Sequence, residues 1–185
     1  MAETPSNMIP LKTKAPGFQL LNPRTGKIES LEKLRSDRAT VIVFLSNHCP
    51  FVKHIIPGLV DFAKDYIPKG ISLIAINSND VKNYPEDSPE KMAEYSKKYE
   101  YPFSYLFDET QETAKAYKAA CTPDFYLFNG ELELEYRGQF DDARPGNNAP
   151  VTGADLRQAC DLVLAGKPAQ EEQKPSIGCN IKWKK

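Results

Sequence analysis

The 185-residue sequence has no pair of cysteines close enough along the chain to clasp a metal between them. Its four cysteines, Cys49, Cys121, Cys160 and Cys179, stand far apart, and only two histidines, His48 and His54, accompany them. This is not the CxxC spacing of a structural zinc site. A set of His48, Cys49 and His54 lacks helical i, i+4 spacing between 49 and 54 and has no evident fourth ligand. No metal and no other cofactor is therefore expected. Excess charge of one sign is also missing, since 24 basic residues face 25 acidic ones. A protein that tracks nucleic-acid phosphates usually shows a basic surplus, so no nucleic-acid partner is expected. No apolar run approaches the length of a membrane span. The opening residues, MAETPSNMIPLKTKAPGF, lack the continuous apolar stretch of a secretory signal. With Met1 as the start, the expectation is a cytoplasmic protein whose thiols are reduced at rest. No internal repeat is seen.

What is present suits one globular domain with a tail. A chain of this length buries roughly 70% of the surface its unfolded form exposes, so it needs no covalent staples. Phe18–Leu21, the turn-rich NPRTGK and Ile28 read as a hairpin near the N-terminus. Ala39–Leu45 and Ile71–Asn77 are continuous β-branched and apolar runs, the pattern of strands buried on both faces. Between them, apolar residues at 52, 55, 56, 59, 60 and 63 mark one face of a helix. Pro50 suits its first turn and Pro57 is expected to kink it. A further helix is expected from near Ser88, a third strand in FSYLFD, and a helix in ETQETAKAYKAA. Asp124–Phe128 and Leu132–Arg137 flank Asn129-Gly130, a hairpin signal. A last helix in ADLRQACDLVLAG ends at Gly166. Strands alternating with helices, then a closing hairpin, imply an α/β fold. Its mixed central β-sheet carries helices on both faces, with an N-terminal β-hairpin and a C-terminal extension.

The domain is expected to span residues 1–166, with 167–185 as a linker and docked C-terminal tail. KPAQEEQKPS is polar and proline-marked. IGCNIKW then alternates, with Ile177, Cys179, Ile181 and Trp183 on one side, as in a strand laid on an apolar surface.

The chemistry is expected where the first buried strand meets its helix, in VFLSNHCPFVKHI. Reaction sites in α/β sheets favour the carboxyl ends of strands. A helix N-terminus carries about half a positive charge and free N–H groups, which favour an anion such as a thiolate. Cys49 lies there among polar residues and reads as a nucleophile with a lowered pKa. The competing reading, a small buried hydrophobe, suits Cys160 on its apolar helix face better. His48 and Lys53 offer positive charge. Ser46 is placed to donate a hydrogen bond to the sulfur or to a bound oxygen.

SNHCPFVKH, AINSNDVKNYPEDSPEKM, FDETQETAKAY, CTPDFYLFNG, YRGQFDDARPGN and PSIGCNIKW together resemble the peroxiredoxin-like branch of the thioredoxin superfamily. Its members carry a domain of the alkyl hydroperoxide reductase and thiol-specific antioxidant type. The likeness runs from about Pro10 to the end and implies a thioredoxin-like fold. Where members of this branch often have CxxC, this chain has Ser46 in place of the first cysteine. Against the PxxxTxxC motif of peroxiredoxins, Cys49 matches the peroxide-attacking cysteine, Ser46 replaces the threonine and Ile42 replaces the proline. Thr122 stands where peroxiredoxins have an arginine, and Arg137 and Arg144 are the candidates to replace it. Thr122-Pro123 resembles the cis-proline loop of thioredoxins, which offers backbone groups to an extended thiol substrate.

The resemblance implies an oxidoreductase, a thiol-dependent enzyme that reduces hydroperoxides through Cys49. The alternatives are a thiol–disulfide oxidoreductase of thioredoxin type and a non-catalytic thioredoxin-fold binding module. Cys49, Ser46 and Cys179 are the expected catalytic residues, with His48, Thr122 and Pro123 binding substrate. An oxidised Cys49 needs a second thiol to resolve it. Cys179 is the first candidate and Cys121 the second. The expected partners are a hydroperoxide or disulfide substrate and a thiol reductant such as a thioredoxin or glutathione.

Overall fold

A computed structural model describes residues 3–185. Its frame is a seven-stranded mixed sheet in the order β3-β2-β6-β5-β4-β8-β9. The strands are β2 (Gln19–Asn22), β3 (Lys27–Ser30), β4 (Ala39–Phe44), β5 (Ile71–Asn77), β6 (Ser104–Phe107), β8 (Asp124–Asn129) and β9 (Leu134–Gly138). Between β3 and β4 lies one short helical turn, α1 (Leu31–Leu34), and the longer helices α2 (Pro50–Tyr66), α3 (Pro89–Lys98) and α5 (Ala154–Leu164) follow β4, β5 and β9. Helix α4 (Glu112–Ala116) is again short.

The run ATVIVF became the most protected strand for a simple reason. β4 pairs in parallel with β5 and antiparallel with β8, so both edges are closed, and all six of its residues are buried. Its side chains alternate between two cores. Val41 and Val43 pack with the apolar face of α2, with Met92 of α3 and with Leu156 and Ala159 of α5. Ile42 and Phe44 pack on the opposite side with Ile74, Ile76, Leu106 and Ala114. Helices thus cover both faces, the long ones on one side and the short ones on the other.

Helix α2 runs through Pro57 without interruption. The Asn129-Gly130 turn is longer than a two-residue hairpin, and β9 begins only at Leu134. The left-handed residue is Leu132, with φ of 60°. The Asn129 side-chain oxygen accepts from the N–H groups of Glu131 and Glu133 and shapes the loop. Gly130 serves another purpose: a Cβ there would collide with the Asp37 carbonyl.

A second, three-stranded sheet holds the termini. β10 (Ile177–Asn180) lies between β1 (Glu3–Pro5) and β7 (Cys121–Thr122), antiparallel to both. The expected alternation of the tail holds only to Asn180. Cys179 enters the core on the α2 side and Ile181 the core on the other side, so they do not share a face. Trp183 is no anchor, being 41% exposed. Backbone and side-chain hydrogen bonds at Ser176, Ile181, Lys182 and Lys184 hold the segment instead.

Candidate active site

Chain geometry brings Cys49 to the first position of α2. It is the N-cap residue, extended at φ −69° and ψ 124°, and Pro50 opens the helix behind it. Its sulfur is 2.7 Å from the Cys179 sulfur and 3.3 Å from the Thr122 carbonyl oxygen. The Thr122-Pro123 peptide bond is cis. Thr122 pairs in register with Cys179, which sets β10 directly beside the α2 start. Gly178 makes that approach sterically allowed, since a Cβ there would collide with the Thr122 carbonyl. Of the expected residues, Cys49, Cys179, Thr122 and Pro123 therefore meet in one place.

The two thiols push each other's pKa in opposite directions. A hydrogen bond from the Cys179 thiol is the largest influence on Cys49 and lowers its pKa. Burial opposes it, and the Thr122 side chain and the N–H groups of Val52 and Cys179 assist. The outcome is a Cys49 thiol lowered from 9.0 to about 6. Cys179 is pushed the other way, by its hydrogen bond to Cys49 first and by burial second. The Thr122 hydroxyl is buried and has no other partner among the described residues. It is free to donate to a thiolate, whereas the Thr122 carbonyl accepts only while Cys49 is protonated.

Cys49 is 0% exposed and Cys179 is 2% exposed, so the tail covers the Cys49 sulfur. The cover is not hydrocarbon alone: Cys49 belongs to the apolar core on the α2 side, but the Cys179 sulfur and the Thr122 carbonyl lie against its sulfur. Two expectations need correction. Ser46 does not address the sulfur. Its hydroxyl lies 3.1 Å from His48 Nδ1 and 3.2 and 3.3 Å from the two oxygens of Asp87, and it accepts from the His48 N–H. Arg137 and Arg144 do not replace the absent arginine. Arg137 is wholly buried, forms a two-pronged ion pair with Asp124 and lies 3.9 Å from the Tyr126 ring centre. Burial works against its charge, but Asp124 outweighs burial and keeps it charged. Arg144 is held by Gln139 and the carbonyls of Asp141 and Ala143.

Cys121 points elsewhere too. Its sulfur contacts the Pro123 carbonyl at 3.7 Å, and burial raises its pKa. Cys160 is buried in the core with α5, its pKa raised by burial.

The residue that sequence reasoning missed is Asp87. It is completely buried under the Ser46–Cys49 loop. Its carboxylate accepts from the Asn47 N–H at 2.6 Å, from Asn77 at 3.1 Å and from Asn79 at 2.9 Å. The His48 Nδ1 is 2.6 Å away. Burial alone would raise its pKa; His48, Asn79 and the Asn47 N–H outweigh burial and hold it below the usual value. His48 also stacks on Tyr84, with ring centres 5.4 Å apart. The available signal was the amide-rich stretch AINSND at the end of β5. β4 and β5 are parallel, so the loops at their carboxyl ends converge. A groove of about 700 Å³, lined by Phe18, Leu20, Phe107 and Thr113 among others, does not include Cys49.

The sequence model described as AhpC/TSA family matches residues 11–137. The chain belongs to the AhpC/TSA family. The matched span holds Ser46, His48, Cys49, Asp87, Thr122 and Pro123 and stops before Cys179. A search of curated proteins gives no match. Among solved structures, this AhpC/TSA chain is similar to an uncharacterized conserved protein from Geobacillus kaustophilus. Their identity is 58% and the TM-score 0.98, over 100% of this chain and 97% of that one. It is also similar to a hypothetical protein from Sinorhizobium meliloti 1021, with 50% identity, a TM-score of 0.96 and 98% of each chain covered. A thiol:disulfide interchange protein of the thioredoxin family from Chlorobium tepidum TLS matches at 17% identity. Its TM-score is 0.63, over 85% of this chain and 99% of that one. The AhpC/TSA domain here thus has a thioredoxin-like fold. No helix among the described residues is long and apolar enough to cross a membrane.

Proposed function

We infer that this chain is a two-cysteine oxidoreductase in which Cys49 reduces a hydroperoxide and Cys179 resolves the oxidised sulfur. The observation that carries this reading is the 2.7 Å contact between a Cys49 sulfur inclined to ionise and a Cys179 sulfur that keeps its proton. The thiolate attacks one oxygen of ROOH, the O–O bond breaks, and the leaving oxygen takes a proton to give ROH. Cys49 becomes a sulfenic acid, oxidised by two electrons. Cys179 then displaces its hydroxyl as water and a disulfide forms. An external thiol pair returns both sulfurs to the reduced state and is itself oxidised to a disulfide. A covered sulfur favours a small oxidant over a bulky one.

A second reading, thiol–disulfide exchange, gains from Thr122. Its backbone already pairs with a cysteine-bearing strand, and no arginine among the described residues hydrogen-bonds the Cys49 sulfur to polarise a peroxide. Hydroperoxide consumption in the presence of a dithiol reductant separates the two. For peroxide reduction, the native chain turns over and Cys49→Ser does not, while Cys179→Ser halts at a sulfenic acid that dimedone traps. Consumption by the native chain no faster than by Cys49→Ser removes the peroxidase reading.

A further inference from the structure

The sulfur pair is closed on itself, so an external reductant needs β10 to lift, and the contacts that hold the tail beyond Cys179 set how readily it does. Those contacts converge on Lys182. Its N–H donates to the Asn79 side-chain oxygen at 2.9 Å. Its carbonyl accepts from the Asp80 N–H and from the Gln111 side-chain nitrogen, both at 2.8 Å.

Asn79 differs from the other two holders because its other end reaches Asp87 under the Cys49 loop, whereas the other end of Gln111 only takes a further N–H of the tail, that of Lys184. The Asn79 side-chain nitrogen donates to Asp87 at 2.9 Å. Asp87 in turn takes the N–H of Asn47 and the imidazole of His48, the two residues before Cys49. One buried amide, 4% exposed, therefore spans from the carboxylate under the Cys49 loop to the backbone of the Cys179 segment. An amide suits this place chemically, because one end must accept and the other donate. An aspartate there would face Asp87 with like charge and have no proton to give.

We propose that Asn79 is a positioning residue that couples docking of the Cys179-bearing tail to the loop carrying Cys49, and so governs how firmly the two sulfurs are held together. This rests on the reading of Cys49 and Cys179 as a redox pair. Removing the Asn79 amide leaves Cys49, Cys179 and Thr122 in place but frees one end of the tail. The pair should open more often, and its disulfide should be easier to reduce.

The test uses the full chain and its Asn79→Ala variant, with Asn79→Asp as the near-isosteric case that adds a negative charge. Reduced protein is treated with iodoacetamide, and alkylation of each cysteine is followed by peptide mass. The oxidised protein is equilibrated with glutathione buffers to measure the Cys49–Cys179 disulfide constant. Expected for both variants is alkylation of Cys49 and Cys179 faster by roughly tenfold, with a disulfide constant lower by a similar factor, the scale of one buried hydrogen bond. Cys160 should stay unreactive in both. Unchanged constants overturn the proposal. So does equal acceleration at Cys160, which would mark general loosening only. If neither variant folds, Lys182→Pro serves instead, since it removes the same N–H from the exchangeable tail, and the same two outcomes decide. Failure of the native chain to form the 49–179 disulfide would overturn the redox pair itself. A native disulfide with unaltered variant constants would overturn only the role of Asn79.

Discussion

At the residue scale, the decisive property of Cys49 is which neighbour keeps the proton. The Cys179 thiol is the largest cause of its lowered pKa, with the helix-start N–H groups helping. Alkylation of the Cys49 thiolate, reached when β10 lifts, still follows ionisation, so the reduced chain should show its half-maximal rate near pH 6, far below the ordinary 9.0. Cys179→Ala removes the main lowering influence and should move that midpoint upward. A rate–pH curve for iodoacetamide checks the direction, and an unmoved midpoint would assign the effect to the helix start alone. Arg137 and Asp124 make a second residue-scale case. Both are wholly buried, and Ser6 also donates to the same carboxylate. Asp124→Ala leaves a guanidinium buried without its counter-charge. A loss of about 3–5 kcal/mol is expected in urea unfolding. Cys49 was legible at this scale because a polar cluster broke an apolar run. Asp87 was not, because nothing local marks a carboxylate that folds under a loop some forty residues earlier in the chain.

At the element scale, the strand that carries Cys179 depends on close backbone contact. Gly178 lies against the Thr122 carbonyl with no room for a side chain. Gly178→Ala should displace β10, expose both sulfurs and raise the iodoacetamide rate at Cys49 several-fold. Mapping the labelled peptides checks this, and protection equal to that of the native chain would count against the packing described. Periodicity revealed α2 and α5 well, since each lays one apolar face on the sheet, and unbroken apolar runs revealed β4 and β5, which are covered on both faces. It misled at the tail. Beyond Asn180 the chain crosses from one core to the other, so Cys179 and Ile181 part company although their spacing is two. It also misled at Asn129-Gly130. There the glycine answers to a neighbouring carbonyl and the left-handed turn falls to Leu132. Such demands come from contacts distant in sequence, and a local pattern has no access to them.

At the scale of the whole molecule, the terminal strands close over the Cys49–Cys179 pair. β1 and β7 flank β10, so a bond between Cys49 and Cys179 would tie the first half of the domain to its last strand. The two residues are 130 positions apart. In the chain-entropy view, closing a loop of that size stabilises the fold by about 5 kcal/mol at most. The oxidised chain should therefore unfold at higher urea than the reduced chain. Equal midpoints would indicate that the bond strains the native state as much as it restricts the unfolded one. The most direct measurement is a peptide map of the native chain after one equivalent of hydrogen peroxide. A single cross-linked species joining the peptides of Cys49 and Cys179, with two hydrogens lost and with Cys121 and Cys160 still free, is the expected result. Cys49 left as a thiol, or joined to Cys121 instead, would contradict the pairing on which the proposed chemistry stands.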